Sequence, residues 1–287
     1  MENHQKNGGA NGLILYYLSA NFKYPSRFDC LLYVSQILQA EAIRYGVEHW
    51  RSNRGRCMGA LYWQINDCWP VASWSGLDYY LRWKPLHYYA KKFYAPVLLS
   101  ALEERGKIRF VVSNETLQDV DIKIVFRLYD NKGNVIEENS VNKKVDKLAA
   151  DTCAEADYSK IGSDRFEARK YYVEYILYVN GEETSRSALL FTRPKYFTFE
   201  NPNITWETEE TDTEFILNVQ TDTFGKYIFF DSPQFDFVAD DNCFDLSRGT
   251  IKKIRIKKED ITKDGKPYQA SLEEMKHLSV LSAYDIQ

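Results

Sequence analysis

The chain has 287 residues, of which 44% are hydrophobic and 27% are charged, with a formal net charge of -4. This length and apolar fraction allow two or three packed domains and exclude a disordered protein. The balance of 37 basic and 41 acidic residues excludes the basic face of a nucleic-acid-binding protein, because the one basic cluster, Lys252 to Lys258, alternates with isoleucine as in a half-exposed strand.

No targeting or membrane segment is predicted, and neither nucleic acid nor a membrane is an expected partner. The N-terminal residues are polar, and the first apolar run, Leu13 to Leu18, is too short for the core of a signal peptide. The five cysteines are odd in number and scattered, which favours a reducing compartment and a cytoplasmic location. The four histidines are scattered too, so we expect neither a metal site nor a cofactor.

The first 97 residues combine helical and apolar segments. Leu13 to Leu18 is compatible with a strand or a helix, whereas Ser26 to Arg51 has an N-cap and a continuous apolar stripe and predicts a helix. Met58 to Ile65 is apolar on both side-chain phases and predicts a strand buried on both faces. A second helix is predicted from Lys84 until Pro96 ends it. This order of helix, strand, loop and helix is typical of a (β/α)8 barrel.

After residue 97 the chain consists of short β-branched and aromatic segments separated by turn residues. The spacing predicts two immunoglobulin-like β-sandwiches, one in 98–193 and one in 194–287. The predicted strands are Lys107 to Ser113, Val120 to Tyr129, Val135 to Val145, Ala154 to Ile161, Lys170 to Val179 and Ser187 to Thr192 in the first, and Ile204 to Thr208, Glu214 to Thr221, Tyr227 to Asp231, Gln234 to Asp236, Thr250 to Lys257 and His277 to Ala283 in the second.

A candidate binding site follows the predicted strand at Met58 to Ile65, where four of the six tryptophans occur within 26 residues. A tryptophan ring offers apolar area and a negative π face to the C–H side of a pyranose, and Trp63 is our first choice for that platform. The polar side chains of Gln64, Asn66 and Asp67 are suited to sugar hydroxyls. The alternative for Trp63 is core packing, and packing between loop and helix is the preferred interpretation for Trp69, Trp74 and Trp83.

Other catalytic arrangements are not indicated. There is no G-x-S-x-G motif and no phosphate-binding glycine loop. The carboxylates of Glu41 and Glu48 fall on a predicted helix surface, and Glu103 with Glu104 falls in a turn, so no pair stands at strand ends as glycoside hydrolysis requires.

Several segments resemble the β-mannosidases of glycoside hydrolase family 2. The resemblance covers nearly the whole chain and is strongest between about 33 and 99. It is carried by Ser35 to Arg44, Met58 to Ser75, Asp78 to Tyr80, Arg82 to Lys84, His87 to Ala90 and, near the C-terminus, Asp241 to Leu246 followed by Gly249.

This resemblance implies a multidomain α/β plus all-β chain, with 1–97 as the C-terminal third of a (β/α)8 catalytic barrel followed by the two sandwiches. It implies a retaining hydrolase acting on terminal non-reducing β-D-mannose, with a β-mannoside oligosaccharide as partner. By position, Trp63, Asn66 and Asp67 resemble the family's substrate-binding wall. The family's two glutamate motifs do not occur here, so no catalytic residue is assigned and the fragment itself is expected to be inactive.

Two alternatives remain open. One is another family 2 specificity, such as β-galactosidase or exo-β-glucosaminidase, and the other is a non-catalytic carbohydrate-binding or domain-packing module. A barrel cut at this point leaves open strand edges and uncovered apolar faces. The missing N-terminal domains of the parent enzyme are therefore an expected partner, and a homo-oligomer is expected where they are absent.

Overall fold

The structure is a computed structural model that describes residues 2–286. The chain forms two compact units. Unit 1 combines the residues up to 40, 63–88 and those from 199 onward, and unit 2 combines 41–62 and 89–198. Each unit contains one antiparallel β-sandwich together with parts of the N-terminal helical region.

Three helices precede the sandwiches: α1 (Ala10–Asn21), α2 (Phe28–Arg51) and α3 (Pro85–Phe93). The run from Leu13 to Leu18, which its sequence left undecided, is helical. Helix α2 ends at Arg51 as predicted. Helix α3 begins with proline in its first turn, where the missing amide hydrogen removes no helical hydrogen bond.

The predicted strand at Met58 to Ile65 is wrong. The segment has no regular secondary structure and is largely exposed, with Leu61 84% and Trp63 70% accessible to solvent. A strand buried on both faces needs neighbouring strands for its backbone groups and a layer on each side. Among residues 2–286 no strand pairs with this segment, and every strand pair is antiparallel. The barrel portion expected in 1–97 is therefore not evident in the described chain.

Unit 2 contains a sandwich of two antiparallel sheets. Its strands are β1 (Val97–Glu104), β2 (Lys107–Asn114), β3 (Val120–Asp130), β4 (Val135–Val145), β5 (Ala149–Asp157), β6 (Tyr171–Val179) and β7 (Glu182–Leu190). One sheet has the strand order β1-β2-β5 and the other has the order β4-β3-β6-β7. Inward residues of both sheets form its core, in which the rings of Phe110 and Phe126 stack with centroids 4.7 Å apart. The short helix α4 (Ser159–Gly162) follows the last strand of the smaller sheet.

The sandwich of unit 1 is built from β8 (Thr205–Glu210), β9 (Glu214–Gln220), β10 (Gly225–Asp231), β11 (Asp236–Ala239), β12 (Phe244–Leu246), β13 (Lys252–Lys263), β14 (Lys266–Pro267), α5 (Leu272–Lys276) and β15 (Ser279–Leu281). One sheet has the strand order β11-β13-β9-β8, with β14 paired to β13, and the second has the order β12-β10-β15. The basic cluster predicted to lie on a half-exposed strand is in β13, where Ile254 and Ile256 are buried and the intervening Arg255 is exposed.

Candidate functional site

The candidate site is the segment 63–83, here called the Trp-rich loop, which belongs to unit 1. It contains only turns, bends and one isolated bridge, between Leu77 and Trp83. Most of its large apolar side chains are exposed to solvent: Trp63, Ile65, Trp69, Trp74, Tyr79, Tyr80 and Leu81. Exposed rings at this density are unusual on a soluble protein and are typical of a binding surface.

Backbone hydrogen bonds close the loop on itself. The amide of Gly76 donates to the carbonyl of Gln64 (3.0 Å), and the amide of Leu77 donates to the carbonyl of Ile65 (2.8 Å). The amide of Lys84 donates in turn to the carbonyl of Gly76 (3.0 Å). The peptide bond between Trp63 and Gln64 is cis. The start of the loop is thus held beside its middle, and the middle is held beside the residue that precedes α3.

A polar cluster occupies the interior of the loop, and Asp67 is at its centre. Its Oδ2 accepts hydrogen bonds from the hydroxyls of Ser73 (2.6 Å) and Ser75, and its Oδ1 accepts one from Gln64 Nε2 (3.3 Å). Lys84 Nζ donates to Ser75 Oγ (2.8 Å) and lies 3.8 Å from Asp67 Oδ2. The side chains of Asp67 and Lys84 are only 5% and 10% exposed. Burial lowers the pKa of Lys84, and the nearby carboxylate of Asp67 opposes that shift.

The outer edge of the loop is fastened to the N-terminal segment. His4 Nδ1 donates to the carbonyl of Pro70 (2.7 Å), and the indole N–H of Trp69 donates to the carbonyl of His4 (3.1 Å). The His4 and Trp69 rings stack with centroids 5.3 Å apart. From α2, Gln39 Nε2 donates to the carbonyl of Ser73 (3.3 Å). The loop is therefore held from the N-terminal segment and from α2 as well as from within.

The three predicted substrate-binding residues lie in different surroundings. Trp63 is on the loop surface and is 70% exposed, so it is not packed in a core of this structure. Asn66 is exposed as well. The Asp67 carboxylate instead points into the loop, where its oxygens already accept hydrogen bonds. A role of these residues in binding sugar stays a prediction.

Sequence reasoning missed the residues that surround Asp67. Ser73, Ser75 and Lys84 follow it by six to seventeen positions, and no local pattern identifies them as its partners. The signals present were two small hydroxyl residues on either side of a tryptophan and a lysine directly before a helix-starting proline. Trp83 packs edge-on against His87 of α3 with centroids 4.4 Å apart, which is the predicted packing between loop and helix. Trp69 instead stacks on His4, which lies outside the helices, and Trp74 is 56% exposed.

The described residues contain neither a metal-binding cluster nor a membrane-spanning helix. Between residues 2 and 286 no group of three or more His, Cys, Asp or Glu side chains is arranged to hold a metal ion. In the same part of the chain no helix is both long enough and apolar enough to cross a membrane.

Known families match the two sandwiches. Residues 106–196 match the model of the Mannosidase Ig/CBM-like domain, and residues 199–278 match the Ig-fold domain model of mannosidases. The immunoglobulin-like character predicted for both regions is therefore confirmed.

The chain is also similar in sequence to β-mannosidases, over up to 88% of its length. It is 33% identical to β-mannosidase of Rattus norvegicus over 138 residues, which are 44% of this chain and 16% of that protein. It is 25% identical to β-mannosidase B of Aspergillus niger over 271 residues, which are 88% of this chain and 32% of that protein. The chain thus spans a third or less of the length of these relatives.

Solved structures extend the similarity to nearly all of the chain. The β-D-mannosidase from Dictyoglomus thermophilum superposes with a TM-score of 0.84 at 25% identity, covering 98% of this chain and 33% of that one. The exo-chitosanase of Amycolatopsis orientalis superposes with a TM-score of 0.70 at 16% identity, covering 95% and 36%, and shares the fold alone. By these matches the chain is a relative of the C-terminal portion of the glycoside hydrolase family 2 β-mannosidases.

Proposed function

We propose that the chain is the C-terminal part of a retaining β-mannosidase, which hydrolyses terminal non-reducing β-D-mannose residues. In this proposal 1–97 is the last third of a (β/α)8 barrel, and 98–193 and 194–287 are the two sandwiches that follow it. The observation that carries it is the superposition on the D. thermophilum β-D-mannosidase, because its 98% coverage includes most residues before 106, where neither family model matches.

The exposed apolar side chains of the Trp-rich loop support the proposal that another part of the enzyme packs against this chain. Trp63, Ile65 and Leu81 are each more than half exposed, and an apolar surface of this kind is costly to leave in water. In the proposal the preceding part of the enzyme covers some of this surface, and substrate contacts the rest. The preceding barrel strands also supply the neighbours that Met58 to Ile65 needs in order to become a strand.

The chemistry divides between this chain and the missing part. Retaining hydrolysis needs two carboxyl groups about 5–5.5 Å apart, one that protonates the leaving oxygen and one that attacks the anomeric carbon. Both glutamates belong to the preceding sequence in this proposal, so the 287-residue chain alone is inactive. Its own contribution is one wall of the sugar site, in which the Trp63 ring faces the C–H side of the mannose ring and the Asn66 amide binds a hydroxyl.

The first test uses the chain as it stands. The purified 287-residue protein is assayed with 4-nitrophenyl β-D-mannoside, and no turnover above a buffer blank is expected. Turnover that copurifies with the protein contradicts the claim that the catalytic carboxylates are elsewhere. Sequencing the gene upstream of Met1 supplies the second arm, since two glutamate motifs of the family are expected there, and their absence favours a non-catalytic module.

The role of Trp63 is tested in the complete enzyme. Trp63→Ala is expected to lower kcat/KM for the aryl mannoside by at least about tenfold, equivalent to about 1.4 kcal/mol of transition-state binding. Trp50→Ala is the control, since Trp50 is a partly exposed tryptophan on helix α2 outside the loop, and its kcat/KM should stay within about twofold. An unchanged kcat/KM in Trp63→Ala removes Trp63 from the sugar site.

A second candidate function has one supporting observation, the shared fold with the A. orientalis exo-chitosanase. Another exo-glycosidase specificity of family 2, such as β-galactosidase or exo-β-glucosaminidase, would use the same wall with different polar contacts. A panel of 4-nitrophenyl β-mannoside, β-galactoside and β-glucosaminide on the complete enzyme separates these functions. The mannoside is expected to give the highest kcat/KM.

A further inference from the structure

The Asp67 carboxylate has an unusual position for a residue with a sugar-binding pattern around it. Its side chain is 5% exposed, although the neighbouring Trp63 and Asn66 side chains are open to solvent. It accepts three hydrogen bonds from within the loop, and an ionised carboxylate has about four acceptor positions. About one acceptor position is left, on a side chain that is nearly closed to solvent, and the Lys84 ammonium 3.8 Å away needs the carboxylate as its negative partner.

We infer that Asp67 is a positioning residue, which with Ser73, Ser75 and Lys84 sets the conformation of the Trp-rich loop and the orientation of the Trp63 ring, and does not itself touch the sugar. The inference rests on the proposed function only for the statement that Trp63 meets a sugar. The part that concerns loop geometry is independent of any ligand.

The connection from Asp67 to Trp63 is short. Asp67 holds Ser75 through the hydroxyl, and the next residue, Gly76, donates its amide to the carbonyl of Gln64. Gln64 also donates its side-chain amide to Asp67 Oδ1, so it is held at both its backbone and its side chain. Because Gln64 directly follows Trp63, the backbone that carries the indole is fixed from the side on which Asp67 lies.

Lys84 completes the arrangement at the other end of the loop. Its ammonium donates to Ser75 Oγ, while its own amide donates to the Gly76 carbonyl. Lys84 directly precedes Pro85, the first residue of α3. The cluster therefore ties the start, the middle and the end of the loop to one helix start. Loss of Asp67 would leave the Lys84 ammonium buried without its carboxylate, which favours opening of the loop.

Fluorine NMR of the full 287-residue chain tests the geometry directly. The protein is labelled with 5-fluorotryptophan, and the Trp63 resonance is assigned with Trp63→Phe. In Asp67→Asn and Ser73→Ala the Trp63 resonance is expected to shift or broaden, while those of Trp50 and Trp206, which lie outside the loop, stay unchanged. Ser73→Thr, which keeps the hydroxyl, should restore the wild-type position. Asp78→Asn is the matched control, because Asp78 is a carboxylate of the same loop whose partners are Arg82 and the backbone of its own turn.

Each outcome decides the inference. If the Trp63 resonance is unchanged in both Asp67→Asn and Ser73→Ala, the positioning role is overturned, and Ser73→Ala decides alone should Asp67→Asn fail to fold. In the complete enzyme, Asp67→Asn is expected to lower kcat with little change in KM, by up to about 100-fold for a misplaced site wall. A rise in KM with an unmoved Trp63 resonance makes Asp67 a sugar ligand and contradicts the inference. If the Trp63 resonance moves in Asp67→Asn but Trp63→Ala leaves kcat/KM unchanged, the positioning role of Asp67 is supported. In that case it is the proposed role of Trp63 as a sugar platform that is contradicted.

Discussion

A buried ion pair in the C-terminal sandwich offers a stability prediction that the structure makes quantitative. Asp245 Oδ2 accepts a hydrogen bond from Lys226 Nζ (2.9 Å), and its Oδ1 accepts one from the amide of Tyr227 (3.1 Å). The two charged side chains are only 5% and 9% exposed. Tyr227 has a positive φ of 59° at an irregularity in the register of β10 and β12. Asp245 therefore neutralises a buried ammonium and satisfies the amide of a strained residue.

Removal of this carboxylate should lower the free energy of unfolding substantially. Asp245→Ala leaves the Lys226 ammonium buried without its carboxylate, which typically costs about 3–5 kcal/mol. Asp245→Asn keeps an acceptor for the Tyr227 amide and should cost less. In the double variant Lys226→Met with Asp245→Asn both charges are gone, so its cost should be well below that of Asp245→Ala, because replacing a buried pair by neutral groups is often nearly neutral.

The assay is denaturant unfolding of the full chain, followed by hydrogen exchange of peptides from β10 and β12 so that unfolding of unit 1 is recorded by itself. The control is Glu259→Ala, which breaks the exposed ion pair with Lys257 and should change the free energy of unfolding by no more than about 1 kcal/mol. A cost below about 1 kcal/mol for Asp245→Ala would refute the reasoning, because it would mean that the ammonium finds water or another partner without loss.

Three further predictions concern local features. Gly106 has φ +84°, and a Cβ there would lie 2.5 Å from the carbonyl oxygen of Tyr158. Gly106→Ala should therefore lower the free energy of unfolding of unit 2 by about 2 kcal/mol or more. The control is Gly181→Ala, which should lower it by about 1 kcal/mol, because a Cβ at Gly181 meets nothing within 4 Å. Burial lowers the pKa of His87 below its usual 6.5, so the unfolded chain takes up the proton first as the pH falls. The melting temperature should therefore fall as the pH drops below about 6.5, and His87→Phe should flatten this dependence. The isolated chain should self-associate or bind a hydrophobic dye through the exposed rings of the Trp-rich loop. A monomeric mass by light scattering, together with no increase in dye fluorescence, would contradict this.

Strands that follow well-marked turn residues were the most predictable part of the fold. Strand β4 was expected at Val135 to Val145 and has those bounds, because turn residues precede it and its mainly polar side chains suit an exposed strand. Strand β5 was expected at 154–161 but is Ala149–Asp157, where its pairing with β2 matches Asp157 to Lys107. Strand β1 was missed because its apolar start directly follows the helix-ending Pro96. In both cases pairing with the neighbouring strand determines the bounds of the strand more strongly than its own composition does.

The segment from Met58 to Ile65 shows the limit of pattern reading. Its composition is suitable for a buried strand, but a strand exists only when a neighbour completes its backbone hydrogen bonds. The same limit applies to Asp67. Its tryptophan-rich surroundings do not reveal that its partners Ser73 and Ser75, six and eight residues away, turn the carboxylate inward. Composition indicated the kind of surface, and hydrogen bonds distant in sequence determined which side chains face it.

The Trp-rich loop has its polar groups inside and its rings outside, the reverse of an ordinary folded segment. Its internal hydrogen bonds, from Gln64 to Lys84, do not depend on a cover for the rings. A surface held in this way loses little conformational entropy when a ligand or polypeptide binds to it. We therefore expect the hydrogen-bonded part of the loop to be preformed in the isolated chain, so that association with the preceding part of the enzyme would add a wall to it and would have to extend only Met58 to Ile65 into a strand.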